Sequence, residues 1–167
     1  PSLAVVRCPP QEDLDKVHLL PRGTELQTTN DAHDVCKFTT CYPVNIAPIT
    51  VENVKLVQKP FIAPGSSKAT NADAVLKIQL KTQGEIPFED LPLDKLRFFL
   101  KGPKQHTFRL YDLLLTHCEM MAVAKGDTET HYHTISKENL TPVGFEADEA
   151  LLPYTDQSFI GYRLLSE

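Results

Sequence analysis

The 167-residue sequence contains no tryptophan, and its aromatic residues make up only 8% of the chain. Its longest apolar runs, such as 113–115 and 120–124, are short. A helix that crosses a bilayer needs about 20 apolar residues. The composition therefore argues against a sugar-binding cleft built from stacked rings, and it predicts no insertion into a membrane.

Basic residues are in a minority, since 17 Lys and Arg face 22 Asp and Glu and give a net charge of -5. Their densest group is Lys95, Arg97, Lys101 and Lys104. Nucleic-acid binding needs a continuous basic surface that displaces counterions. We therefore predict no nucleic-acid partner, and we interpret this group as a solvated face in the first instance.

The four cysteines, Cys8, Cys36, Cys41 and Cys118, are too few for a disulfide scaffold in a chain of this length. Cys8 and Cys118 lie in apolar surroundings that are typical of small core residues. The sequence begins at Pro1 without a methionine or a signal peptide, and it ends inside a predicted helix. We expect it to be cut from a longer protein at both ends.

Two groups of residues resemble metal ligands. His131 and His133 share one face of a predicted strand, while Cys36 and Cys41 are five residues apart with His33 nearby. Structural zinc sites usually contain two pairs of ligands, with cysteines two to four residues apart. We predict no metal site, and a small zinc- or thiol-dependent enzyme that uses these residues stays open as an alternative.

Signals for catalysis are also missing. The seven glycines are too widely spaced for a phosphate-binding or dinucleotide-binding loop, and no Gly-x-Ser-x-Gly turn occurs. The acidic residues lie in polar stretches that are typical of solvated surface. The sequence therefore predicts no catalytic residue, no cofactor and no enzymatic activity.

The apolar pattern changes from strands to a helix along the chain. Alternation and β-branched residues predict strands at 2–7, 17–20, 24–28, 35–44, 51–59, 74–82, 96–100, 132–135 and 140–146. Apolar residues at spacings of three and four predict a helix over 108–124, which ends before Gly126. A second helix is predicted to begin near residue 158.

These elements predict an α+β fold: a mainly antiparallel, β-sandwich-like domain with one long packed helix and a second helix that starts at the C-terminus. We expect residues 1–155 to form the β-rich domain and residues 156–167 to lead into a further region. Pro43 and Pro48 interrupt the stretch 42–51, so a bulge, a sheet edge or a crossover between strands is expected there.

Two segments resemble a known family. Residues 37–49, K-F-T-T-C-Y-P-V-N-I-A-P-I, resemble the stretch F-R-T-x-Y-P-V-x-L-x-P-I of the type VI secretion baseplate protein TssF, also called VasA or ImpG. Residues 161–167 resemble its G-Y-R-L-L-Q-E. Weaker matches follow the same order at 21–26, 96–102, 110–114 and 142–145. Lys37 stands where the family usually has arginine, and Ala47 stands where an aromatic residue is common.

The resemblance implies a β-rich domain of the baseplate wedge, assembled in the cytoplasm with TssG, TssK and a second TssF copy beneath a contractile sheath. It implies no catalysis and no cofactor. The candidate interface residues that it marks are Phe38, Thr39, Tyr42, Pro43, Pro48, Tyr162, Arg163, Leu164 and Leu165. A phage-tail-like contractile device and an extracellular adhesin-like sandwich remain alternatives. We interpret the apolar stretch 159–165 as part of a core within the same chain rather than as a contact with a partner.

Overall fold

A computed structural model describes residues 2–11, 14–28, 35–84, 86–146, 149–151 and 156–157. The chain divides into two units that interleave in sequence. Unit 1 contains residues 1–50, 82–96 and 143–167, and unit 2 contains residues 51–81 and 97–142.

Unit 1 is built around an interrupted hairpin. Its strands are β1 (His18–Leu20), β2 (Glu25–Gln27), β3 (Lys37–Thr39) and β4 (Val44–Ile46). The antiparallel pairs are β1 with β4 and β2 with β3. Leu20 pairs with Val44 and Leu26 pairs with Phe38. The two pairs are six residues apart on each strand, so the register is the same in both ladders. The two ladders are therefore consecutive stretches of one long hairpin.

The two faces of this hairpin differ in polarity. Half-buried apolar side chains lie on one face: Leu20, Leu26, Phe38, Val44 and Ile46. The intervening residues, such as Leu19 and Thr39, are exposed. This alternation follows from the two-residue period of a strand, which directs neighbouring side chains to opposite faces.

The chain changes sheets at Pro48. Before it, β4 pairs with β1; after it, β5 (Ile49–Gln58) pairs with β6 (Ala74–Thr82). Pro48 is fully buried, and its carbonyl accepts the Gln83 N–H at 2.8 Å. Because proline has no N–H to give to a ladder, it suits a point where pairing switches. The structure thus selects the crossover among the three arrangements predicted for this stretch.

The fully buried part of unit 1 is small. Besides Pro48, the described residues that are buried in this unit are Leu91, Gly144, Ala150 and Leu151. A short 3-10 helix, Phe88–Asp90, precedes Leu91. Arg22 Nη2 donates to the Ala150 carbonyl at 3.1 Å, which ties the hairpin to the segment 149–151.

Unit 2 contains two hairpins. One is formed by β5 and β6, whose connecting loop is closed by a hydrogen bond from the Lys59 N–H to the Asp73 carbonyl at 2.8 Å. The other is formed by β7 (Met121–Ala124) and β8 (Tyr132–Ile135), which pair antiparallel. A short 3-10 helix, Lys137–Asn139, follows. The strands predicted at 51–59, 74–82 and 132–135 are confirmed.

The helix of unit 2, α1, spans Lys104–His117, so the predicted bounds 108–124 were wrong at both ends. It begins directly after Pro103, whose backbone is not helical. It ends early because Met121–Ala124 pairs with Tyr132–Ile135. The backbone N–H and C=O groups of residues 121–124 are hydrogen-bonded in that ladder and are therefore not available to extend the helix. Its half-buried stripe is Thr107, Leu110, Tyr111, Leu114 and Leu115, and none of its residues is fully buried.

The described residues therefore form a mixed α+β structure of small antiparallel sheets with one α-helix. The strands predicted at 2–7, 96–100 and 140–146 do not form there. The sandwich-like arrangement and the boundary at residue 155 stay predictions, and the predicted helix from residue 158 lies outside the described residues. Within the described part of the chain, no helix is long and apolar enough to cross a membrane.

Candidate interaction surfaces

The interruption of the unit 1 hairpin is closed by hydrogen bonds, and we call Pro21–Thr24 together with Thr40 the hairpin joint. The Gly23 N–H donates to the Thr40 carbonyl at 2.8 Å, and the Thr40 N–H donates to the Thr24 carbonyl at 3.0 Å. The Thr40 hydroxyl accepts the Thr24 N–H at 3.0 Å and donates to the Pro21 carbonyl at 2.7 Å. The Thr24 hydroxyl also donates to Pro21, at 2.7 Å. The kink is therefore a defined structure.

The hairpin joint brings together two of the segments that carry the family resemblance, 21–26 and 37–49. Gly23 has a φ of 82°, a left-handed conformation that suits glycine. The sequence gave no sign that the Thr24 amide and the Thr40 hydroxyl bond to each other. Gly23 acts here through its backbone conformation, and Thr24 and Thr40 act through hydrogen bonds of their hydroxyls to the backbone.

Two of the candidate interface residues occupy opposite faces of β3. Phe38 is half-buried on the apolar face, opposite Leu26, whereas Thr39 is exposed on the polar face, opposite Glu25. Only Thr39 of the two presents its side chain to solvent in unit 1.

The remaining candidates differ in exposure. Tyr42 is half-buried, Pro43 is exposed and Pro48 is buried. The others, Tyr162, Arg163, Leu164 and Leu165, lie outside the described residues. An interface role for this set stays a prediction.

The polar face of the hairpin carries a small charged cluster. The Gln27 side-chain amide donates to the Glu25 carboxylate at 2.9 Å, and Lys37 Nζ lies 3.2 Å from the same oxygen. These two contacts, the Gln27 bond first, hold the pKa of Glu25 below its usual value. Hydrogen bonds and a cation favour the ionised carboxylate.

We predict that Gln27→Ala and Lys37→Ala each raise the pKa of Glu25 toward the ordinary glutamate value. Because the folded pKa is lowered, the contribution of Glu25 to stability is present above its unfolded pKa and is lost as pH falls through its folded pKa. Carbon-13 NMR titration of the Glu25 carboxyl measures this. Thr39→Ala, which faces Glu25 without a side-chain hydrogen bond to it, is the control, and an unchanged pKa in both test variants would contradict the assignment.

The structure describes Cys36, Cys41, His131 and His133 of the zinc or thiol alternative, whereas His33 lies outside the described residues. Cys36 is exposed, Cys41 is half-buried, and both are free thiols. His131 and His133 are exposed, and His133 faces Val123 across the β7–β8 ladder. Within the described ranges, no three His, Cys, Asp or Glu side chains are grouped so that they could hold a metal ion.

Unit 2 has an open groove of about 280 Å³ between the loop 62–67 and the turn 127–130. Gly65, with a φ of 74°, is buried at its base, where an added Cβ would lie 2.7 Å from Met120 Cε and 3.0 Å from Tyr132 Cε2. Lys68 Nζ lies 5.4 Å from the centre of the Tyr132 ring. The loop therefore packs closely on the start of β8.

Much apolar surface is exposed in both units. The exposed side chains include Leu19 in unit 1 and Val54 and Leu56 in unit 2, with Leu56 at 60%. An isolated unit of this size normally covers more of such surface.

The comparison with protein families decides what kind of protein carries these surfaces. A family model of the type VI secretion system protein TssF matches residues 1–167. The chain belongs to the TssF family. It is 32% identical over 174 residues to the type VI secretion system component TssF1 of Pseudomonas aeruginosa strain PAO1. That alignment covers 100% of this chain and 28% of the relative's length. None of the solved structures matches the chain.

Family membership confirms the resemblance that the sequence motifs indicated, and two of those motifs meet at the hairpin joint. Pro21, Gly23 and Thr24 lie in a segment that resembles the family's P-A-G-T-x-L turn, and in this chain the Thr24 and Thr40 hydroxyls both donate to the Pro21 carbonyl. These motif residues therefore lie in the joint between the two ladders of the unit 1 hairpin.

Proposed function

We propose that this chain is part of a structural component of the type VI secretion baseplate wedge. In this proposal it assembles with TssG, TssK and a second TssF copy in the cytoplasm, beneath the contractile sheath, and it catalyses no reaction. Membership of the TssF family supports the placement in a type VI secretion system. The large exposed apolar surface supports a role in assembly.

The exposed apolar side chains are the observation that carries this proposal. Leu19 of unit 1 and Val54 and Leu56 of unit 2 are each more than half exposed. Exposed Leu and Val side chains on strands are the residue types that assembly contacts bury most favourably.

Co-expression of the full-length protein with candidate TssG and TssK proteins tests the proposal. We expect the three to purify together in a fixed ratio that survives size-exclusion chromatography. Separate elution of all three, with each shown to be folded by circular dichroism, would contradict a wedge role. A TssK from an unrelated system is the matched control for non-specific capture.

A further inference from the structure

The groove of unit 2 has two walls of different chemistry. The loop 62–67 forms one wall, which presents Ile62 with 69% of its surface exposed. The turn 127–130 forms the other wall and contributes the carboxyl groups of Asp127 and Glu129. An apolar wall therefore faces an acidic turn across a space of about 280 Å³. We call this space the loop–turn groove.

Contacts within unit 2 hold both walls of the loop–turn groove in place. Gly65, with a φ of 74°, lets the loop approach the Tyr132 ring at the base of the groove. Lys77 Nζ lies 2.7 Å from Asp127 Oδ2, and this ion pair ties β6 to the turn. The groove is therefore formed in advance, so that a partner pays little ordering entropy when it binds there.

The loop–turn groove accepts hydrogen bonds at several points and carries negative charge. Besides the two carboxylates, it is lined by the hydroxyl groups of Ser66, Ser67, Thr128 and Thr130. None of the described residues that line it is Lys or Arg. Lys77 offsets the charge of Asp127 from outside the lining, so the half-buried Glu129 gives the groove its charge. A cationic group is therefore favoured as its occupant.

The size of the groove indicates that the occupant is a single side chain. Pockets for small molecules usually measure about 300–1,000 Å³, whereas this groove measures about 280 Å³ and is open to solvent. Arginine fits both walls, because its apolar stem can cover Ile62 while the five N–H donors of its planar guanidinium bond the Glu129 carboxylate and the neighbouring hydroxyls. Lysine offers only three donors and no planar group.

We propose that the loop–turn groove receives an arginine side chain from a segment of another baseplate protein, with the guanidinium bonded to Glu129 and the stem packed on Ile62. This inference rests on the proposed function. Nucleic acids and anionic lipids fit poorly, because the Glu129 carboxylate repels their phosphates. A second copy of this chain and an acidic partner are treated as outcomes of the test.

Glu129→Gln tests the charge of the groove. In the full-length protein it is expected to weaken binding to TssG and TssK about tenfold, because a hydrogen bond between two charged groups is replaced by one to a neutral amide. The matched control is Glu138→Gln, which neutralises an exposed glutamate of unit 2 outside the groove and is expected to change the affinity less than about twofold. Unchanged thermal unfolding of both variants shows that the fold is retained.

Lys68→Met separates a basic partner from an acidic one. Lys68 is exposed, and its Nζ lies 5.4 Å from the centre of the Tyr132 ring at the base of the groove. Because this substitution removes a cation that repels an incoming guanidinium, the affinity is expected to stay the same or to rise. A loss of affinity of about fivefold or more would assign an acidic partner to this surface and overturn the proposal.

Photo-cross-linking identifies the occupant directly. A photoreactive benzoylphenylalanine replaces the exposed Ile62 in the full-length protein, the complex with TssG and TssK is irradiated, and the joined peptides are sequenced by mass spectrometry. We expect a peptide of TssG or TssK with an arginine close to the cross-linked residue. A joined peptide of the same protein assigns the groove to its own chain or to a second copy. That result, or a joined peptide without arginine, overturns the proposal.

The outcomes separate this inference from the proposed function. If the complex forms but Glu129→Gln binds as tightly as Glu138→Gln, the arginine site is overturned and the baseplate role stands. If no complex forms, the proposed function fails and the arginine site fails with it.

Discussion

Gly65→Ala is expected to lower the free energy of unfolding of unit 2 by about 2–5 kcal/mol. A left-handed conformation costs an L-residue about 1–2 kcal/mol, and Gly65 has a φ of 74°. Overpacking typically adds about 1–3 kcal/mol, and the new Cβ would lie 2.7 Å from Met120 Cε and 3.0 Å from Tyr132 Cε2. Urea unfolding followed by far-UV circular dichroism measures the change.

Two other glycines separate the conformational cost from the steric one. Gly126→Ala, in the same unit, introduces no contact within 4 Å and no left-handed strain, so it is expected to be neutral within about 0.5 kcal/mol. Gly84→Ala, at a φ of 68° with nothing within 4 Å, carries the conformational cost alone, about 1–2 kcal/mol. If Gly65→Ala costs no more than Gly84→Ala, the loop 62–67 does not pack on Tyr132 as described.

Thr40→Val is expected to destabilise the unit 1 hairpin by about 1–2 kcal/mol, because it deletes the oxygen that accepts the Thr24 N–H and donates to the Pro21 carbonyl. Valine has nearly the same shape as threonine and fits a strand well, so neither volume nor β-propensity offsets the loss. The local readout is the exchange rate of the Thr24 amide, which should rise, together with the urea midpoint.

Thr39→Val is the matched control for Thr40→Val. Thr39 is the preceding residue, is exposed, and uses its side chain for no hydrogen bond within the described chain, so its substitution is expected to change stability by less than about 0.5 kcal/mol. Equal effects of the two substitutions would show that the hairpin joint does not depend on the Thr40 hydroxyl.

Local alternation predicted strands well where the ladder partner is near in sequence. The bounds 74–82 and 132–135 agree with β6 and β8, whose partners β5 and β7 directly precede them in the same hairpin. The pattern failed at 121–124, because Met121 and Ala124 fit the apolar spacing of a helix as well as that of a short strand. Only pairing with Tyr132–Ile135, which is a tertiary interaction, decides between the two.

Two of the three predicted strands that do not form show how strand propensity can mislead. Val5 and Val6 lie in an apolar run, and residues 98–100 are rich in phenylalanine, yet neither run forms a strand in the described part of the chain. A strand is stabilised by its neighbours more than by its own residues, and sequence does not show whether a neighbour exists.

The interaction surface could be predicted from the sequence only in part. The motif around Phe38 and Thr39 led to the TssF family, but it did not show that Phe38 lies on the apolar face and that Thr39 is exposed to solvent. That distinction depends on the register with Leu26 and Glu25, which the hairpin joint sets through bonds between residues 16 positions apart. Such register information is non-local.

Hydroxyl-radical footprinting of the full-length protein, alone and in the complex with TssG and TssK, most directly tests whether this chain serves assembly. Oxidation rates report side-chain exposure, and Leu19, Leu56, Phe98 and Phe99 are exposed in the units described here. The account predicts that at least two of these four side chains become several-fold less reactive in the complex. Equal oxidation of all four in the free and the assembled protein would contradict it.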